Sequence, residues 1–264
     1  MSRVRDVAHE LRELWLERSP EDTTVIDCEA PLSRVVHSLA EALSEDALAL
    51  IVEPKRLTHV RGDIHPDLDI ADVAEECERA GAAAISVVTE PKLSGGSFAD
   101  LMEARQACAL PLLARDIIVD VRQVREARLA GADAVFLPIE VFVDEEDLAP
   151  GQNLHEIIAE AHACGMDVVL SVRNDEELEL GLAADCDVLN IDNRDARGRI
   201  DVERTLEMLA EVPVGHPVIS ESVARIEEVA QLHRAGVDAL LLDEGHLDTG
   251  LSHALRVYAE LATR

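Results

Sequence analysis

Short apolar runs alternate with longer amphipathic stretches along most of the chain. Eight runs stand out, at 48–53 (LALIVE), 84–88 (AISVV), 111–115 (PLLAR), 134–139 (AVFLPI), 167–172 (DVVLSV), 187–192 (DVLNID), 217–220 (PVIS) and 239–242 (ALLL). They are too continuously apolar for a sheet with one wet face; strands buried on both faces, as in a parallel sheet, read this way. A helical pattern follows each run, at 70–80, 98–109, 121–130, 154–164, 175–182, 202–209, 224–235 and 250–262. Ala-Gly-Ala or Ala-Gly-Val stands before three of the strands, at 80–82, 130–132 and 235–237. Glycine there ends a helix in the left-handed conformation before the chain turns into the next strand. Eight strand–helix units predict an α/β fold, a (βα)8 TIM barrel. The alternative, a doubly wound open sheet, usually carries a glycine-rich loop after its first strand, where this chain has EPKRLTHVRGD. Two further helical patterns, 3–18 and 32–43, precede the barrel. The reading is one domain over 1–264, with N-terminal helices at 1–45 and the barrel at 46–264, and with Trp15 packed against it.

Composition narrows the class of protein. The 264 residues are 48% hydrophobic, enough for a full core. Acidic side chains outnumber basic ones 54 to 24, for a net charge of −30. A chain this negative repels phosphate backbones and anionic membranes, so neither nucleic acid nor membrane is an expected partner. No apolar run reaches the ~18 residues of a membrane span, and the charged N-terminus does not read as a signal peptide, so a cytoplasmic location is expected. The basic residues include only two lysines, Lys55 and Lys92, and the acids are dispersed rather than gathered in a tail. That pattern reads as a surface solvated in high salt, where screening removes self-repulsion. The five cysteines are odd in number, widely spaced and without a CxxC pair, so they read as buried thiols rather than a disulfide framework or zinc site.

Barrel active sites lie at the C-terminal ends of the strands. Polar residues gather there: Glu53 and Lys55, Thr89 and Glu90, Arg115 and Asp116, Ser171 and Arg173, Asp192, Asn193 and Arg194, Glu221 and Ser222, Asp243 and Glu244. Lys55 is the sharpest of these. One of two surviving lysines, it lies two residues after Glu53, and that alternation aims both side chains into the barrel mouth. A lysine buried near carboxylates can bind an anionic substrate or act as an acid. Other candidates read as ordinary structure: His59 and His65 as solvated loop residues, Asp144 to Asp147 as a solvated acidic face, and Ser97 with Gly95 and Gly96 as a turn.

Several segments together resemble the indole-3-glycerol-phosphate synthase family. They are EPKR at 53–56 (EIKR in the family), AGAAAISVVTEPKLSGGSF at 80–98, PLLARDIIVD at 111–120, QVREARLAGADAVFL at 123–137, DNRD at 192–195, SES at 220–222 and GVDALLLDE at 236–244. The resemblance covers roughly residues 48–248. It implies a cofactor-free carboxy-lyase of tryptophan biosynthesis that closes and decarboxylates 1-(2-carboxyphenylamino)-1-deoxyribulose 5-phosphate, with loss of water. It also implies catalytic roles for Lys55, Glu53, Glu221 and Arg115, and substrate-binding roles for Arg194, Asn193, Ser222, Ser171 and Asp192. No cofactor and no metal site is expected, and a small anionic molecule is the expected partner.

The departures from the family are specific. Arg115 stands for the lysine of its KDF segment and keeps the charge but not a transferable proton. Ser171 stands for the strand 5 glutamate that serves as general base, and Asp192 for the first asparagine of NNRD. Val223 and Asp243 stand for glycines of the phosphate turns, Thr58-His59-Val60 for a serine-proline-serine after strand 1, and Ser94 for an aromatic residue. Three readings follow from the residues: a synthase with a rearranged site, a diverged paralogue acting on another small anion, and a non-catalytic barrel with a regulatory or partner-binding role.

Overall fold

The computed structural model describes residues 3–17, 37–44, 47–58, 62–143, 152–194, 199–221, 226–243 and 250–262. Eight parallel strands close into a barrel in sequence order: β1 (Ala49–Val52), β2 (Ala84–Val88), β3 (Leu112–Arg115), β4 (Ala134–Pro138), β5 (Asp167–Val172), β6 (Val188–Asp192), β7 (Val218–Glu221) and β8 (Ala239–Leu242). The ring shuts where Ala49 pairs with Ala239 and Val52 with Leu242. Every strand lies within an apolar run predicted above or extends it by one residue.

Among the described residues, α1 (Arg3–Glu17) and α2 (Leu39–Leu43) precede the barrel. Outside the strands lie α3 (Ile70–Ala80), α4 (Phe98–Ala107), α5 (Val121–Ala130), α6 (Leu154–Ala163), α7 (Asp175–Ala183), α8 (Val202–Leu209), α9 (Ile226–Ala235) and α10 (Leu251–Ala262). The glycine stops hold: Gly81 ends α3 at φ 83° and Gly131 ends α5 at φ 108°, a left-handed conformation that a side chain would strain. Ser97, read as a turn, caps α4, its hydroxyl accepting the Asp100 N–H at 3.2 Å. Among the described residues, no helix is long and apolar enough to cross a membrane.

The two ends of the barrel are built differently. At the N-terminal end α2 acts as a plug, its Leu39 and Leu43 fully buried in one cluster with Ile51, Leu113, Val169 and Ile219 of the barrel interior. Asp167 anchors it, accepting the Ser38 hydroxyl at 2.9 Å and the Ala40 N–H at 2.8 Å. Residues 32–36 of the predicted helix lie outside the described residues. Three aspartates set before the even strands tie neighbouring strands together: Asp133 accepts the N–H of Leu112 at 3.0 Å, Asp187 that of Val168 at 2.8 Å, and Asp238 that of Val218 at 2.8 Å. At the opposite end, α1 lies across the loops after β3 and β4. Val7, Ala8 and Trp15 pack on Ile117, Val119 and Val141. Arg122 stacks 4.9 Å from the Trp15 ring, and the Arg12 guanidinium donates to the Val141 carbonyl at 2.8 Å. Cys77, Cys108 and Cys186 are buried free thiols as expected, whereas Cys164 is disulfide-bonded, a correction to the thiol reading.

Asp133 is the most heavily used of these anchors, also accepting the His37 N–H at 3.1 Å and pairing with Arg105 at 2.8 Å. Replacing it with alanine takes the counter-charge from Arg105, leaving it only the Cys108 and Leu110 carbonyls, and removes two backbone caps. Asp133→Ala is expected to cost about 3–5 kcal/mol in urea unfolding, the range for breaking a buried ion pair. Turnover per folded molecule should be unchanged, because the site lies at the other end.

Candidate functional site

Side chains on a strand alternate between two faces, so the inward positions can be read from the packed interior. Ile51, Leu113, Phe136, Val169, Val188, Ile219 and Leu241 point inward. Two residues further along, the same face carries Glu53, Arg115, Ser171, Asn190, Glu221 and Asp243, with Asp192 beyond Asn190. The mouth is therefore lined with polar groups where the layers beneath it are apolar.

These groups form one ion lattice. Arg115 lies at its centre, with Nε 3.1 Å from Glu53 Oε2, Nη2 donating to Glu221 Oε1 at 2.8 Å, and the guanidinium 4.1 Å from the centre of the Phe136 ring. Lys55 Nζ lies 2.6 Å from Glu53 Oε1, and the Ser86 hydroxyl donates to Glu53 Oε2 at 2.6 Å. Asn190 Nδ2 donates to Glu221 Oε2 at 3.0 Å and to the Ser171 hydroxyl oxygen at 2.9 Å. Of the buried atoms of this group, Arg115 Nη1 and Asn190 Oδ1 have no hydrogen-bond partner among the described residues, and Glu53 Oε1 meets only the Lys55 ammonium as an ion pair. A donor and an acceptor left unused in a barrel mouth suit a bound molecule.

Burial and charge set the protonation states. Burial alone would lower the Lys55 pKa, and the neighbouring Arg115 adds to that, but Glu53 and Glu221 outweigh both and hold the ammonium above its ordinary value. Burial would likewise raise Glu221, yet Arg115 and Lys55 hold its carboxyl below the usual range. Asp192 goes the other way. Burial, reinforced by the like charge of Glu221, pushes it up to about 6 against the pull of the Arg194 N–H, Arg173 and Arg115. Asp116, after β3, is also raised to about 6 by burial, although its carboxylate accepts from the Thr89 hydroxyl at 2.8 Å and from the Ile117 N–H at 2.7 Å.

The sequence candidates thus separate. Lys55, Glu53, Arg115, Ser171 and Glu221 come together as expected, and Asp192 stands beside Glu221, its register partner on β7. Glu53 is 0% exposed and is met by Lys55, Arg115 and Ser86. Asn193 is turned away from the mouth. It faces the helices, donating to Thr205 and Ser220 at 3.3 Å, because it follows the inward-facing Asp192 by one residue. Arg194 reaches the mouth but is paired with Asp243. Arg173 is tied to Glu140, which also meets Arg5 of α1 at 4.0 Å. Glu90 caps its own loop, accepting the Lys92 N–H at 2.7 Å, and His65 is exposed. Ser222, Val223, Glu244, His59 and Asp144 to Asp147 lie outside the described residues. Ser86, Phe136 and Asn190 were missed. Each was hidden inside a run read as uniformly apolar, and the signal was its inward parity.

The family model for indole-3-glycerol phosphate synthase matches residues 5–250. Curated relatives of that name include one from Dechloromonas aromatica, 34% identical over 91% of this chain and 92% of the relative. Another, from Desulfotalea psychrophila, is 37% identical over 76% of each. Indole-3-glycerol phosphate synthase 2 of Streptomyces coelicolor is 35% identical over 86% of this chain and 85% of its own. Among solved structures, an N-acetylmannosamine-6-phosphate 2-epimerase from Clostridium perfringens superposes with a TM-score of 0.59 at 16% identity, covering 80% of this chain and 91% of that one. An orotidine 5'-phosphate decarboxylase from Pyrococcus horikoshii OT3 gives 0.59 at 11% identity, covering 81% and 99%. At such identities these two speak for the barrel fold alone. The match over nearly the whole chain, together with relatives above 30% identity, places the chain in the indole-3-glycerol phosphate synthase family, the carboxy-lyases of tryptophan biosynthesis.

Proposed function

We propose that this barrel closes and decarboxylates 1-(2-carboxyphenylamino)-1-deoxyribulose 5-phosphate with a proton-handling apparatus of its own. The observation that carries the reading is the Lys55–Glu53–Arg115–Glu221 lattice at the mouth. Lys55 and the unused Nη1 of Arg115 together offer a cationic grip for the carboxylate that departs as CO2. Arg115 keeps its proton throughout, since its two carboxylate partners raise an already high pKa. Acid catalysis therefore falls to Lys55. Its ammonium is held charged, and a departing hydroxide is basic enough to take its proton. Glu53 is the positioning group that aims both cations, and Ser171 with Asn190 frames the far wall.

The decisive assay follows indoleglycerol phosphate fluorescence in molar KCl. Lys55→Ala should lower kcat by roughly 10²–10⁴, the usual loss on removing a general acid. A variant that keeps most of the activity would take Lys55 out of the mechanism.

One observation favours a second reading, in which the substrate is a small anion without phosphate. Asp243, where the family has a phosphate-turn glycine, holds Arg194 in an ion pair at the edge of the mouth. A phosphate arriving there meets a carboxylate and a cation already engaged. Asp243→Gly is expected to lower KM for the phosphorylated substrate about tenfold, matching one charge-assisted hydrogen bond regained. Activity lost toward a phosphate-free anion instead would favour the paralogue.

We read the dispersed acidic surplus as an adaptation to high salt, in a protein working in the cytoplasm. Raising ionic strength from 0.1 to 1 M shortens the screening length from about 10 Å to 3 Å, below typical spacings of surface charges. The melting temperature should climb steeply between dilute buffer and molar KCl, measured by circular dichroism. A melting temperature indifferent to salt would end the halophilic reading.

A further inference from the structure

Loss of water from the closed ring removes a hydrogen from one carbon and a hydroxyl from the next, so the site needs a base as well as an acid. The position that supplies a glutamate on β5 in the family is Ser171 here, and a hydroxyl is no base near neutral pH. Of the inward-facing carboxylates at the mouth, Glu53 is enclosed by Lys55, Arg115 and Ser86, and Asp243 is paired with Arg194. Both oxygens of Glu221 are bonded, one to Arg115 and one to Asn190. Asp192 differs. Its Oδ1 accepts the Arg194 N–H at 3.1 Å, and its Oδ2 takes part in no hydrogen bond among the described residues.

Its place in the fold matches the missing group. Ser171 on β5 is the register partner of Asn190 on β6, and Asp192 is the next inward position along β6 toward the mouth. The carboxylate absent from β5 therefore reappears one strand over. We propose that Asp192 is the catalytic base of the water-losing step, an inference that rests on the reaction proposed above.

The step balances as follows. The Asp192 carboxylate takes the proton of the ring carbon adjacent to the one bearing the hydroxyl, and the C–H electron pair becomes the new C=C bond. The C–O bond breaks with its electrons on oxygen, and the Lys55 ammonium protonates the departing hydroxide to water. Asp192 then releases its proton to solvent, and the Lys55 amine regains one.

The groups facing Asp192 are Glu221 on β7, Arg115 on β3, Arg173 just after β5 and the Arg194 N–H two residues beyond the end of β6. Burial and Glu221 move its titration to about 6, where a base has useful strength and is still ionised at neutral pH. The rate should therefore rise with pH through about 6 as the carboxyl loses its proton.

Asp192→Asn keeps the shape, restores the residue of the family pattern and removes the like charge beside Glu221, so the barrel should fold at least as well. Measured on the full chain in molar KCl, it should lower kcat by about 10²-fold or more, leave KM nearly unchanged and abolish the acidic limb of the pH profile. Asp192→Ser should behave alike. Adding Ser171→Glu to Asp192→Asn returns a carboxylate to β5 and should recover at least about tenfold of the loss. A single variant that keeps its activity or its acidic limb overturns the role and assigns that limb to another group such as Asp116. A double variant as inactive as the single one assigns the loss to packing and also overturns the role. A wild-type chain that never turns over this substrate removes the proposed reaction itself, and the base with it.

Discussion

The mouth of this barrel depends on one guanidinium. Glu53, just after β1, and Glu221, at the end of β7, are both buried, and two carboxyl groups set close together in a low-dielectric layer need a cation between them. Arg115 spans them, giving Nε to one and Nη2 to the other while its flat face lies on Phe136. A lysine at this position would offer a compact point charge to one carboxylate and no face to the ring. The arginine thus exchanges a transferable proton for geometry. That exchange sets the rest of the site: Glu53 is bridged to Arg115 and Lys55 together, Glu221 is held below the usual carboxylate range and its like charge pushes Asp192 up, and acid–base work has to be found elsewhere.

The contrast between the barrel's two ends follows the same logic. Aspartates are the main polar device at both, yet their surroundings differ. Asp133, Asp167, Asp187 and Asp238 are met by backbone N–H groups at the strand starts, so their charge stitches neighbouring strands and holds the α2 plug. A carboxylate whose oxygens are taken up by backbone N–H groups serves the fold rather than chemistry. At the mouth, Asp192 has one oxygen engaged, and Arg115 and Asn190 each keep an atom without a partner among the described residues. Incomplete satisfaction costs stability, and it is retained at the end where a barrel binds its ligand.

The barrel was legible because its strands are buried on both faces, which leaves continuous apolar runs, and because glycine marks the helix ends. The cluster at the mouth was partly legible for a related reason: charge abutting an apolar run marks the point where a strand leaves the core. Period-two alternation sufficed for Glu53 and Lys55. Within the runs the same alternation turns Ser86, Phe136 and Asn190 inward, a parity masked by their apolar neighbours, and across 192–194 it turns Asn193 away from the mouth toward Thr205. The pairing of Arg194 with Asp243 joins residues 49 positions apart, and no local pattern encodes such a contact. The α2 plug was read only as a helix before the barrel, because its two leucines say nothing of which end they fill.

The departures from the family pattern are not scattered. Arginine for lysine at Arg115 preserves a positive charge. Serine for glutamate at Ser171 removes a negative one, and aspartate for asparagine at Asp192 restores it on the adjacent strand. Taken together, the three exchanges leave the charge at the heart of the mouth unchanged. A barrel released from catalysis would have no reason to conserve that balance, since a buried charge is costly unless matched and an apolar replacement is often more stable. Even at the margin, the negative Asp243 is met by Arg194 rather than left alone. A decayed site loses charges singly and fills with apolar groups, whereas this one carries a carboxylate on β6 beside the serine of β5 and holds Glu53, Lys55, Arg115 and Glu221 in one ion lattice. That pattern fits an enzyme working with a displaced base better than it fits a scaffold that has stopped working.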